Sequence, residues 1–188
     1  MTRIEQREKR RQEILITALD IFIHKGYAAA KTQDIANAAG MSEGLLFHYF
    51  ETKEKLYEEL VKTAMEGREM ALTGVKNEGL EYFQKTAKMI FHYLKTEPFV
   101  AKMFVLAGQA QNNEAAPESV KTLIAKLDFE PTIKKIKQGQ KKGHIKKGDP
   151  AALAFAFWGA IQGIAEQIAL LPDIPVPDSE WIVDIIRK

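Results

Sequence analysis

Hydrophobic and polar positions alternate along this chain with the period of a helix almost throughout. Over residues 5–25, Ile14, Ala18, Ile21 and Phe22 form an apolar stripe, widened by Leu15 and Leu19, and Gly26 ends the pattern. Two short helices follow. Thr32 reads as the N-cap of the first, which carries Ile35, Ala36 and Ala39, and Gly40 stops it. Met41 fills the corner. Ser42 reads as the N-cap of the second, which runs to about Phe50. Thr52 then caps a long helix through Lys53, Leu56, Leu60 and Ala64 toward Leu72.

Beyond Gly74 and Gly79, the residues Phe83, Ala87, Ile90, Phe91 and Leu94 make another stripe. Thr96 is expected to cap the next helix, with Pro98 in its first turn and Phe99, Met103, Phe104 and Leu106 on its apolar side. Pro117 opens a pattern through Leu123, Leu127 and Ile136, inside which Pro131 predicts a kink or a split. Residues 151–171 are apolar nearly all round. Gln162, Glu166 and Gln167 argue against a membrane span, so the run reads as a core helix at a subunit interface, with Gly159 and Gly163 allowing close approach. Pro172, Pro175 and Pro177 mark an extended turn. Asp178 or Ser179 caps a last helix holding Trp181, Ile182, Ile185 and Ile186, apolar enough to pack on a partner. The pattern is all-α.

The pair of short helices carries the chemistry. Ala36 at the crossing and Gly40 at the corner give a helix-turn-helix, whose second helix enters a DNA major groove. At about 100° per residue, Leu46 and Phe50 face inward, and Gly44, Leu45 and His48 face out with Tyr49 on the shoulder. Gly44 lets the backbone approach DNA, Leu45 suits a thymine methyl, and His48 and Tyr49 suit phosphates or base edges. Read from the residues alone, an ordinary helical corner remains the alternative.

These residues resemble the tetracycline-repressor (TetR) family of bacterial transcriptional regulators. The match runs through Gly26-Tyr27, Thr32, Ile35-Ala36, Ala39 to Ser42, Gly44, Leu46-Phe47, Tyr49-Phe50, Lys53 and Leu56, within residues 8–60. The resemblance implies an N-terminal three-helix helix-turn-helix DNA-binding domain, placed at residues 1–52. It also implies a helical effector-binding and dimerisation domain at 53–188. It implies DNA contacts at Thr32, Gln33, Glu43, Gly44, Leu45, His48, Tyr49 and Lys53, and a homodimer joined by a four-helix bundle from the last two long helices of each subunit. The implied function is that of a repressor released from double-stranded, palindromic operator DNA by a small molecule. Glu43 is expected to stabilise its own helix N-terminus rather than to read a base.

Composition adds limits. The chain has 188 residues, 46% of them hydrophobic, and lacks cysteine, which excludes disulfides and thiolate metal sites. A net charge of +2 does not announce a nucleic-acid binder. The basic residues Arg7, Lys9, Arg10 and Arg11 read equally well as an arm on phosphates or as a solvated helix face. The lysines of 134–147 read as a solvated helix end. No apolar leader opens the chain, and a cytoplasmic protein is expected.

The four histidines are scattered, with no metal pair, no nucleophile elbow and no dinucleotide fingerprint. Neither enzyme activity nor a cofactor or metal is expected. Met89, Phe91, His92, Phe104, Trp158, Gln162 and Glu166 are the candidate effector-binding residues, with Gln109 as a further polar group. Their ligand is expected to be hydrophobic, and cationic if Glu166 is unpaired. The rival reading is an α-helical ligand-binding or scaffold protein with a non-functional helix-turn-helix.

Overall fold

A computed structural model describes residues 2–171 and 173–188; Pro172 of the expected proline turn lies outside the described residues. The described residues form α1 (Arg3–Ala29), α2 (Thr32–Ala38), α3 (Glu43–Tyr49), α4 (Lys53–Thr73), α5 (Gly79–Thr96), α6 (Pro98–Gln111), α7 (Glu118–Ile124), α8 (Glu130–Lys141), α9 (Pro150–Leu170) and α10 (Ser179–Val183). Among them the only extended pairing is an isolated antiparallel bridge between Ile145 and Arg187.

The chain folds as two compact units, one of Met1–Met65 with Val105–Ala125 and one of Glu66–Phe104 with Lys126–Lys188. The expected boundary lay at the head of α4. The first half of α4 instead packs within the first unit, because Leu56, Tyr57, Leu60 and Val61 are all buried. Ile14, Leu15, Ala18, Leu19 and Phe22 of α1 are buried in the same unit. Phe22, Tyr27 and Tyr57 form a ring cluster, with Phe22 set edge-on to Tyr57 at 4.9 Å and Tyr27 at 4.7 Å from Tyr57. Gly26 makes the turn before Tyr27 with φ 74°, a conformation that favours glycine.

The second unit is built on α5, α8, α9 and α10. One side of α5 (Tyr82, Phe83, Ala87, Ile90, Phe91, Leu94) packs with Ile136, Phe157, Ile161, Ile182 and Ile186 in a single cluster. Gly79 and Gly139 let α5 and α8 nearly touch. A Cβ on Gly79 would sit 3.1 Å from the Gly139 Cα, and one on Gly139 would sit 2.4 Å from the Ile145 Cδ1.

Several expectations are corrected. Thr32 is the first residue of α2 and Lys31 its N-cap, without a side-chain cap. Thr96 ends α5, and its hydroxyl donates back to His92 O at 3.1 Å, so Glu97 separates the two helices. The expected split at Pro131 is present: it stands in the first turn of α8, apart from α7. The run 151–171, expected at a subunit interface, is buried on one face within the chain. Ala154, Phe157, Ile161, Ala165 and Ile168 are covered, while Ala152, Phe155, Ala156, Gly159, Gly163 and Leu170 are exposed. The last helix stops at Val183; Ile182, Val183 and Ile186 turn inward and Trp181 outward.

Candidate nucleic-acid interface

The turn between α2 and α3 is fixed by local chemistry. Gly40 adopts φ 64°, and the Met41 amide donates to Ala36 O at 3.0 Å, the six-to-one bond that closes a helix C-terminus. Ser42 Oγ then accepts from Leu45 N at 3.2 Å and opens α3. Within α3, Leu46 and Phe50 are buried, and Gly44, Leu45 and His48 are exposed. Tyr49 is half-buried with its ring against His48. The predicted outer face is therefore present, and it includes Phe47, at 42% exposure, which was not expected on it.

The other expected DNA residues surround this face in different roles. Gln33 is exposed on α2 and donates to Asn37 at 2.9 Å. The Thr32 hydroxyl donates to the Glu43 carboxylate, tying the first turn of α2 to the first turn of α3. Glu43 thus holds the two helices in register, and Thr32, no cap, is its partner. Lys53 donates to Tyr27 O at 3.0 Å and Ala30 O at 3.1 Å, and its ammonium lies 4.4 Å from the Tyr27 ring centre. Two of its three donors close the end of α1, which leaves one for a phosphate.

Residues outside the predicted set position the motif. Arg10 donates to Ala39 O at 2.8 Å and to Glu13 at 2.8 Å, so α1 grips the corner itself. Arg11 pairs with Glu59 through both guanidinium nitrogens and covers the Phe50 ring at 4.8 Å. Neither lies in a free arm; both belong to α1. Their signal in the sequence was a basic run at helical spacing, which fits solvent equally well. The Tyr27 hydroxyl donates to Glu54 at 2.8 Å, and burial, then that carboxylate, pushes its pKa far above the tyrosine range. Lys25 holds Asp34 at 2.8 Å and lowers its pKa.

Residues 14–60 match the family model for bacterial regulatory proteins of the tetR family. That segment is the part of the chain in which the family likeness lies. Among TetR-like and other helix-turn-helix relatives, YhgD of Bacillus subtilis, an uncharacterized HTH-type transcriptional regulator, is 26% identical over 154 residues, covering 79% of this chain and 78% of that one. The HTH-type transcriptional repressor KstR2 of Rhodococcus jostii is 40% identical over 53 residues, which cover 28% of this chain and 26% of that one. The crystal structure of AibR in complex with isovaleryl coenzyme A and operator DNA shares the fold, with TM-score 0.70, 22% identity and coverage of 93% and 94%. The shared fold therefore extends well beyond the segment that the family model matches.

The expected effector residues are not all brought together. Phe91 is buried in the packed cluster of the second unit, while His92 lies exposed beside Tyr93 and cannot share a cavity with it. The reason is helical: adjacent residues point about 100° apart. Met89, Phe104, Trp158, Gln162 and Glu166 are half-buried. Gln162 donates to Phe104 O at 2.8 Å and to Glu166 at 2.7 Å, so Glu166 has a partner. Trp158 donates to Thr132 at 3.3 Å. Gln109 belongs to the first unit and donates to Ile23 O at 2.9 Å.

Proposed function

We propose that this chain is a DNA-binding transcriptional regulator, a repressor that leaves its operator when a small ligand binds. It acts in the cytoplasm as a homodimer. The outer face of α3 carries the reading: two buried anchors, Leu46 and Phe50, present Gly44, Leu45, Phe47 and His48 to a major groove. The fold shared with AibR, seen with both operator DNA and an acyl coenzyme A, supports a ligand-responsive regulator.

The exposed side of α9 supports the dimer. Gly159 and Gly163 have open space where a Cβ would stand, so in one copy of the chain nothing occupies the close-approach face. A second copy would cover it through a two-fold interface, and two reading heads then fit two half-sites of a palindrome. The proposed effector residues are Met89, Phe104, Trp158, Gln162 and Glu166, of which Gln162 joins Phe104 O and Glu166. Its control of DNA binding needs unequal affinity for two conformations of the dimer.

The experiment is selection of bound fragments from random double-stranded DNA, followed by affinity measurement on variants. Leu45→Ala changes the preferred sequence, while Tyr49→Ala weakens binding to all sequences alike. If the intact protein binds selected fragments no better than random ones, the regulator reading fails and a scaffold with an inert helix-turn-helix takes its place.

A further inference from the structure

The second half of α4 places Arg68 in the unit that does not read DNA. Its guanidinium lies 4.8 Å from the Phe129 ring centre, and Phe129 is itself 5.0 Å from Phe155. The Nη2 atom is shut off from solvent and has no hydrogen-bond partner. Tyr82 and Asp128 lie nearby, but neither bonds Nη2. Tyr82 gives its hydroxyl proton to Leu72 O at 3.3 Å, and Asp128 accepts from Glu130 N at 2.8 Å. Burial lowers the guanidinium pKa, and the proximity of Tyr82, Asp128 and Glu69 only partly offsets this.

A guanidinium stays charged in proteins and presents its donors in a rigid planar fork. Stacking on Phe129 satisfies its face and leaves Nη2 without an acceptor. A half-buried cation with one idle, buried donor is costly to keep unless something completes it. Two oxygens in one plane complete it best, as a carboxylate or phosphate supplies them. We propose that Arg68 seats the anionic group of an amphiphilic effector, a carboxylate or a phosphate, with the apolar part of that molecule against Phe129. This rests on the effector reading above and gives that effector a charge, opposite to the one an unpaired Glu166 would select. It also puts the seat on α4, the helix that begins directly after the recognition helix.

The test titrates the full chain by calorimetry with four ten-carbon probes below their micelle concentrations: sodium decanoate, decyl phosphate, decanol and decyltrimethylammonium. At least one of the two anions is expected to bind about tenfold or more tighter than decanol. The tighter anion identifies the headgroup. Arg68→Met should erase that preference and Arg68→Lys should keep part of it. Without ligand, Arg68→Met should melt no lower than the parent, whereas a guanidinium with a purely structural role would lower the melting temperature when removed. The inference is overturned if decanol or the cation binds as tightly as the anions, if no probe binds, or if Arg68→Met keeps the preference. Release of operator DNA is measured separately. Release by decanol without anion preference defeats the seat and spares the effector reading. Anion binding through Arg68 without release spares the seat and defeats that reading.

Discussion

The two units treat their polar groups differently. In the first, side chains of opposite character meet across helices: Arg11 with Glu59, Thr32 with Glu43, Tyr27 with Glu54, Arg10 and Lys53 with the carbonyls that end α2 and α1. In the second, cross-helix bonds such as Trp158 to Thr132 and Gln162 to Phe104 O also form, but Arg68 and Gln138 each bury a polar atom without a partner. A reading head has to hold α2 and α3 in one arrangement, and cross-helix bonds do that. A sensor must gain something when its ligand arrives, and an unfilled donor is a place for that gain.

The contrast can be broken most severely at the ring cluster. Phe22→Ala removes a fully buried ring between Tyr27 and Tyr57 and should cost about 3–5 kcal/mol in urea unfolding, with loss of DNA binding. A loss under about 1 kcal/mol would mean that the first unit is not held by this cluster. In the second unit, Gly139→Ala forces a methyl against Ile145 and the Gly79 backbone and should cost about 1–3 kcal/mol. It should leave the half-site selected from random DNA unchanged. An altered half-site would show that the units do not divide their tasks.

Arg10→Met sharpens the comparison. It leaves the core intact but frees Ala39 O, with a stability loss of about 1 kcal/mol once exposure is discounted. DNA affinity should fall on every sequence by gel mobility shift, because the whole corner loosens rather than one contact. The smallest effect lies at Asp34. Lys25 holds its folded pKa below the ordinary carboxylate value, so its contribution is full above that value and is lost as pH falls through the lowered one. Thermal melts of Asp34→Asn should therefore show a shallower acid decline than the parent. An equal decline would leave the Lys25 pair without thermodynamic weight.

The helix-turn-helix was legible because its signals are local. Gly40 and Ser42 act within a few residues, and the spacing of Leu46 and Phe50 sets the outward face. Thr32 and Thr96 were misread as caps because a hydroxyl's partner is decided elsewhere: Glu43 takes the first across the turn and His92 O takes the second from behind. The one-sided burial of α9 was hidden because an apolar sequence does not say which face is covered. Arg68 drew no notice, since a charged residue in a helix ordinarily faces water. Only the structure shows its ring contact and its idle donor.

Arg10, Arg11, Lys25 and Lys55 all pair with carboxylates of their own chain. Cations neutralised this way condense few additional phosphates and displace few ions from the DNA atmosphere. The logarithm of operator affinity should then fall less steeply with the logarithm of salt than the basic residues of the first 60 positions would suggest. Such a regulator would lose little grip when ionic strength rises, and it would slide poorly on DNA that lacks its site.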